Sequence, residues 1–328
     1  MTQALDRDLA DLEVGFGRLR EAVERRFLGH EEVLEVALYA LLAGGHVLLE
    51  GAPGLGKTTL VRGLARALAL DFRRIQFTPD LLPPDVLGTR MLEEDEDGRR
   101  RFHFVEGPIF AHVLLADEIN RAAPRTQSAL LEAMAERQVT TFGETRTLPD
   151  PFCVVATQNP VEMEGTYPLP EAQLDRFLVK LELTPPDVDD LTRVLAATTT
   201  ASVDEDGPVV SRDELRKMRG LVRQVPARSE VVSLAARIVC ATQPARPEAP
   251  DRIARFVRWG ASPRGGQALI LLAKARALVA GRLFVTEEDI LAVSAPALRH
   301  RLVLGYEGEA SGVRPDELVQ EACRAASL

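Results

Sequence analysis

The stretch Gly51, Ala52, Pro53, Gly54, Leu55, Gly56, Lys57 and Thr58 fits the order G-x-x-x-x-G-K-[ST] in full. Glycines at these places let backbone N–H groups turn inward around phosphate oxygens. A helix starting after the loop, at Lys57, Thr58 and Thr59, would aim its positive end at the same anion. Lys57 would reach the terminal phosphates and Thr58 would ligate Mg²⁺. The chemistry is binding of a nucleoside triphosphate; a glycine-rich turn with a chance lysine is the plainer alternative.

A second pattern is Val113-Leu-Leu-Ala-Asp117-Glu118, an apolar run ending in two acids. An aspartate at such a strand end can hold Mg²⁺ through water. A neighbouring glutamate within hydrogen-bonding reach can polarise the attacking water. Standing alone, two acids at a strand end are as well explained by solvation.

These groups need a scaffold. His46–Glu50 is short, apolar and bounded by glycine, which suits a buried strand. Helix-forming residues run from Lys57 to Ala69. Further strands are expected at Arg74–Phe77, Val113–Ala116, Cys153–Thr157 and Phe177–Leu183, with helical segments between them. That alternation predicts an α/β fold, a parallel sheet covered on both faces. Upstream, Leu9, Leu12, Phe16, Leu19 and Val23 recur at helical spacing over 8–27, and a second helix runs from Glu31 to Ala43, ended by Gly44-Gly45. Hairpins are expected at 89–106, turning at Glu96-Asp97-Gly98, and at 139–148, turning at Gly143. Pro185-Pro186 mark a boundary. Beyond it only helices are expected, among them one opened by the capping box Ser211–Glu214, then Ser229–Ala241, Asp251–Trp259, Gly265–Ala280 and Thr286–Arg299. Asp204–Pro208 reads as an acidic loop.

The segments GAPGLGKT, LLADEINRA, PRTQSALLEAM, ATQNP and EAQLDRF together resemble the MoxR group of AAA+ ATPases, from about Phe27 to Arg301. The resemblance implies a P-loop αβα sandwich over 1–186, including an N-terminal helix and both hairpin insertions, and a smaller all-α lid over 187–328. It implies ATP and Mg²⁺ as ligands, held by residues 51–59 with Thr58 and Asp117 on the metal. Glu118 would act as general base. Asn159 resembles sensor 1, which orients the attacking water, although an Asn-Pro turn explains it equally well. Arg176 resembles an arginine finger reaching a neighbouring subunit's γ-phosphate; a helix-end arginine facing a carboxylate is the alternative. Arg264 resembles sensor 2, in its own or a neighbour's site. Gln76 is a candidate restraint on Glu118, against a plain buried strand glutamine. His30 is a candidate neighbour of the adenine, against a helix-start polar residue. Trp259 is expected in the lid core, and Arg99-Arg100-Arg101 in a solvated turn.

The bulk composition narrows function further. With 328 residues, about two domains are expected. A net charge of −9 weighs against a dedicated nucleic-acid binder. Three widely spaced cysteines, without a Cys/His cluster, point to reduced small hydrophobes. The acidic amphipathic start is unlike a signal peptide, and Val36–Leu49 is too short and broken to span a bilayer, so a cytoplasmic protein is expected. The resemblance implies a homo-oligomeric ring, a hexamer in this family, that remodels a protein client with a von Willebrand factor A domain partner. No separate client-binding domain is visible, so core loops or an adaptor would meet the client. Two other classes remain: a nucleic-acid-stimulated motor and an ATP-dependent assembly switch with little turnover. The switch would be marked by loss of Lys57, Asp117, Glu118 or Arg176, all present. A GTPase is disfavoured because no N-K-x-D segment occurs.

Overall fold

Runs of apolar residues without alternation bury both faces of a strand, which only a covered parallel sheet allows. The computed structural model, describing residues 2–94, 100–160, 165–199 and 207–327, bears this out. Strands β1 (Val47–Gly51), β2 (Phe72–Gln76), β5 (Val113–Asp117), β8 (Cys153–Gln158) and β9 (Val179–Leu183) form one parallel sheet in the order β2-β5-β8-β1-β9. Two further pairs are the expected hairpins, β3 (Gly88–Glu94) with β4 (Arg100–Glu106) and β6 (Gln138–Thr141) with β7 (Glu144–Thr147). Phe142 and Gly143 both take positive φ, 53° and 79°, so the second hairpin closes in a two-residue turn of the primed kind, which matches strand twist. The expected turn at Glu96–Gly98, Arg99, and most of the acidic loop at Asp204–Pro208 lie outside the described residues.

The two sheet faces have separate covers. Val47, Leu49, Leu115, Val155 and Leu181 meet α1 (Thr2–Glu24), α2 (Glu31–Ala43) and α3 (Lys57–Ala67). On the other face Leu48, Leu114, Ala116, Val154 and Ala156 meet α4 (Pro83–Leu87) and α5 (Pro124–Glu136). A short α6 (Glu171–Leu174) leads into β9.

After Pro185-Pro186 the chain is helical: α7 (Val188–Thr199), α8 (Arg212–Gln224), α9 (Ser229–Ala241), α10 (Asp251–Phe256), α11 (Pro263–Val279), α12 (Glu287–Leu298), α13 (Tyr306–Ala310) and α14 (Pro315–Ser327). The capping boxes form as expected. Ser211 accepts from the Glu214 N–H and Thr286 from that of Asp289. Asp289 is fully buried, and burial alone would raise its pKa. Hydrogen bonds from Arg282, Thr286 and Arg276 outweigh that and hold it at about 2.

Two expectations need correction. The segment Asp251–Trp259 is not wholly helical, because α10 ends at Phe256. Val257–Trp259 becomes β10, antiparallel to β11 (Val303–Leu304), so the lid carries a small strand pair. Trp259 consequently lies on the surface, 61% exposed, while Phe256 and Val257 take the buried places. The register of the pair shifts between Val257 and Trp259, so Trp259 does not follow Val257 onto the buried face.

The lid helices α8, α9, α11 and α12 share one continuous apolar cluster with the sheet face and with Leu12, Phe16, Leu19 and Val23 of α1. The N-terminal helix therefore braces the helical region against the nucleotide-binding core.

At the start of β1, the Val154 N–H donates to His46 Nδ1 at 3.0 Å, so Nε2 carries the proton and donates to the Met134 carbonyl at 3.2 Å. Complete burial pushes the His46 pKa down to about 4. Its neutral form is built into the fold, so protons bind the unfolded chain preferentially below its ordinary pKa. Stability from this site should be present above about pH 6.5 and fall by about 2 kcal/mol between pH 7 and pH 5. Urea unfolding at the two pH values checks this; His46→Gln, which keeps one donor and one acceptor, should flatten the dependence.

Candidate active site

The loop after central strand β1 adopts the conformation its glycines predict. Gly54 and Gly56 have φ of 86° and 82°, where side chains bearing Cβ are strained. A Cβ on Gly51 would come within 2.9 Å of the Leu183 carbonyl oxygen, so the loop leaves the sheet through a gap only glycine fits. Gly56 is the N-cap of α3. Lys57 Nζ donates to the Gly51 carbonyl at 2.6 Å, which keeps the ammonium on the loop itself.

Register brings the other groups beside it. Gln76 of β2 pairs with Asp117 of β5, and Ala116 pairs with Ala156 of β8, so Asp117 and Thr157 are neighbours at the carboxyl edge of the sheet. Thr157, fully buried, donates to Asp117 Oδ1 at 2.6 Å and accepts from the Glu118 N–H at 2.9 Å. One hydroxyl thus fixes both acids. Glu118 sits in the left-handed region, φ 56° and ψ 50°, a costly position for a non-glycine residue and one concentrated at functional sites. Its Oε2 accepts from Gln76 Nε2 at 2.7 Å and from Arg121 Nη1 at 3.1 Å. Gln76 is therefore exposed and bonded to Glu118, not a buried strand glutamine.

Arg74 and Thr157 escaped sequence reasoning. Arg74 donates from Nε and Nη2 to Asp117 Oδ2 at 3.1 and 2.6 Å, and from Nη2 to Gln76 at 3.0 Å. Strand parity was the available signal: residues 74 and 76 share a face of β2.

The residues fit a nucleotide with Mg²⁺. The loop is a cradle of inward-turning backbone, and Thr58 opens α3 beside it. Among the described residues no group of three or more His, Cys, Asp or Glu could hold a metal alone. A magnesium ion here would depend on phosphate oxygens and water, as that ion prefers. Both Asp117 oxygens already accept hydrogen bonds, which suits a carboxylate acting on the ion through water.

Asn159 follows the end of β8 and is 4% exposed, in the same row. His30 caps α2, and its ring lies 5.4 Å from that of Phe27. A Cβ on Gly56 would sit 3.3 Å from Phe27, so His30 is one side chain removed from the loop.

Arg176 and Arg264 are not brought to this row. The Leu178 N–H donates to the His46 carbonyl at 2.8 Å, so the turn holding Arg176 lies at the amino end of β1. Five strand residues separate that end from the loop, about 15 Å at roughly 3.3 Å per residue. Arg176 donates from Nη1 to the Leu131 carbonyl; its Nε is buried without a hydrogen-bond partner, and no carboxylate pairs with it among the described residues. The alternative of a helix-end arginine facing a carboxylate is therefore not what the turn contains. Arg264 is exposed on the first turn of α11, beside the same sheet edge: Ser262, two residues earlier, donates to Asp175 Oδ2 at 2.8 Å.

Comparison with known proteins is consistent across the chain. Residues 46–179 match the family described as "ATPase family associated with various cellular activities (AAA)", and 249–322 match "AAA lid domain". The chain is 40% identical to chaperone MoxR1 of Mycobacterium tuberculosis, covering 93% of this chain and 80% of that protein. It is 33% identical to protein MoxR of Paracoccus denitrificans, covering 95% and 96%. A solved Cytophaga hutchinsonii structure, described as a candidate ATPase, superposes with a TM-score of 0.91 at 36% identity over 99% of this chain and 98% of that one.

Proposed function

The chain belongs to the MoxR group of AAA+ ATPases, and on that footing we propose that it hydrolyses ATP at sites shared between subunits of a homo-oligomeric ring. The observation that carries this reading is the split of the candidate groups between two sheet edges. The loop, Asp117, Glu118 and Asn159 form one half; Arg176 and Arg264 lie at the other edge and complete a neighbour's half. Contacts of this head-to-tail kind close into rings.

Within one site the loop N–H groups and Lys57 hold the phosphates. Thr58 and Asp117 would hold Mg²⁺, which neutralises charge on the phosphate oxygens when bound. Glu118 takes the proton of the attacking water, with Asn159 orienting that water beside the γ-phosphate. The neighbour's Arg176 offsets charge developing on the transferred phosphoryl group. The products are ADP and phosphate. Gln76 and Arg121 hold the Glu118 carboxylate, so the base must be released from them to work.

Hydrolysis would drive remodelling of a protein client, with a von Willebrand factor A domain protein as partner. Supporting this are the two hairpins, clasped by the Arg90–Glu144 pair at 2.7 Å and by the Arg146 guanidinium 4.0 Å from the centre of the Phe104 ring. They leave Phe102, Phe142, Met91 and Leu92 half or more exposed, apolar surface suited to a protein.

Phosphate release from ATP tests the reading. Turnover per chain should rise with protein concentration, vanish with a chelator, and stay unchanged with single-stranded DNA. Turnover independent of concentration would remove the shared site; strong, salt-sensitive stimulation by DNA would replace client remodelling with a nucleic-acid motor.

A further inference from the structure

The residue before Arg176 has no place in the chemistry above, yet both of its carboxylate oxygens accept hydrogen bonds from the lid. Asp175 Oδ1 accepts from Arg301 Nε at 2.8 Å, and its Oδ2 accepts from Ser262 Oγ at 2.8 Å. Arg301 is 7% exposed and also donates to the carbonyls of Phe177, at 2.7 Å, and Leu178, at 3.3 Å. His300 Nε2 lies 3.1 Å from the same Phe177 carbonyl. The turn 175–178 is thus bolted to the 3-10 turn Arg299–Arg301 that follows α12. The Ser262 hydroxyl serves two partners: it donates to Asp175 and, as the N-cap of α11, accepts from the Arg264 N–H at 3.1 Å. Through two hydrogen bonds, Asp175 connects the backbone of Arg176 to that of Arg264.

We infer that Asp175 is a positioning residue whose carboxylate locks Arg176 and Arg264 into one unit, presented together to the neighbouring subunit. This rests on the shared-site reading above. Among the described residues the hydrogen-bonded bridge from the turn of Arg176 to the first turn of α11 runs through this carboxylate, so a lid displaced by a fraction of a hydrogen-bond length would misplace both. Such misplacement lowers the rate without weakening ATP binding, because both arginines act on a site in another chain.

Asp175→Asn keeps the size of the side chain but loses the charge opposite Arg301. Ser262→Ala removes the bridge while leaving the Asp175–Arg301 pair intact, and Ser262→Thr restores a hydroxyl. For Asp175→Asn and Ser262→Ala the expected result is a tenfold or greater fall in kcat with KM for ATP unchanged, and near-normal kcat for Ser262→Thr. In a background lacking both Arg176 and Arg264 (Arg176→Ala with Arg264→Ala) the same two substitutions should cost less than twofold more, since both groups they position are gone. Mixed with Lys57→Ala chains, Asp175→Asn chains should regain turnover, because the Lys57→Ala chain brings an intact unit. Effects that multiply in that double background, wild-type kcat in both variants, or no regain in the mixture would overturn the inference. If Asp175→Asn fails to fold, Ser262→Ala decides by the same measurements. Should Arg176→Ala mixed with Lys57→Ala also fail to recover, the fault lies with the shared site; recovery there without recovery for Asp175→Asn faults this inference alone.

Discussion

Glu118→Gln should leave ATP binding intact and slow hydrolysis by about 10²–10⁴-fold, the usual contribution of a positioned general base. The amide has the shape of the carboxylate and can still meet Gln76 and Arg121, but it cannot take a proton from water. Nothing else at Glu118 needs to change, because its left-handed backbone is held by the Thr157 hydroxyl on its N–H, not by the side chain. Binding and turnover therefore separate cleanly. Equilibrium binding of a fluorescent ATP analogue and single-turnover phosphate release would measure them. Near-normal release would remove Glu118 from the base role and direct attention to Asp117.

The sheet, its covering helices and the two hairpins were legible because each rests on local pattern: uninterrupted apolar runs, helical spacing and a turn glycine. The row of Gly51, Thr58, Asp117 and Glu118 was legible because loop and strand end are contiguous in sequence. What escaped lies in contacts between distant segments. Arg74 reaches Asp117 only through the pairing of β2 with β5, and Thr157 reaches both acids only because β8 lies beside β5. Arg301 is 126 residues from Asp175, in a 3-10 turn just past α12 where no helical periodicity singles it out. Trp259 was misplaced for a smaller reason. The helix ends three residues early and the strand pair that follows shifts register between Val257 and Trp259, and neither Phe256 nor Val257 carries a stop signal of the glycine or proline kind.

Arg176→Ala should lower turnover by about 10³-fold or more if it supplies charge stabilisation in trans, as arginine fingers do. The geometry gives this a signature that a simple loss of stability lacks. Arg176 lies a strand's length from the loop of its own chain, so its removal cannot touch that loop. Lys57→Ala has the opposite defect, a crippled loop and an intact arginine. Each chain alone should be nearly inactive. Mixed in equal amounts and allowed to exchange, roughly a quarter of the interfaces would be complete, since each needs one chain of each kind in a fixed order around the ring. Turnover should return towards that fraction of the wild-type rate and should scale with the product of the two mole fractions. An arginine acting within its own chain predicts no return at any ratio, because no mixture gives one chain both groups.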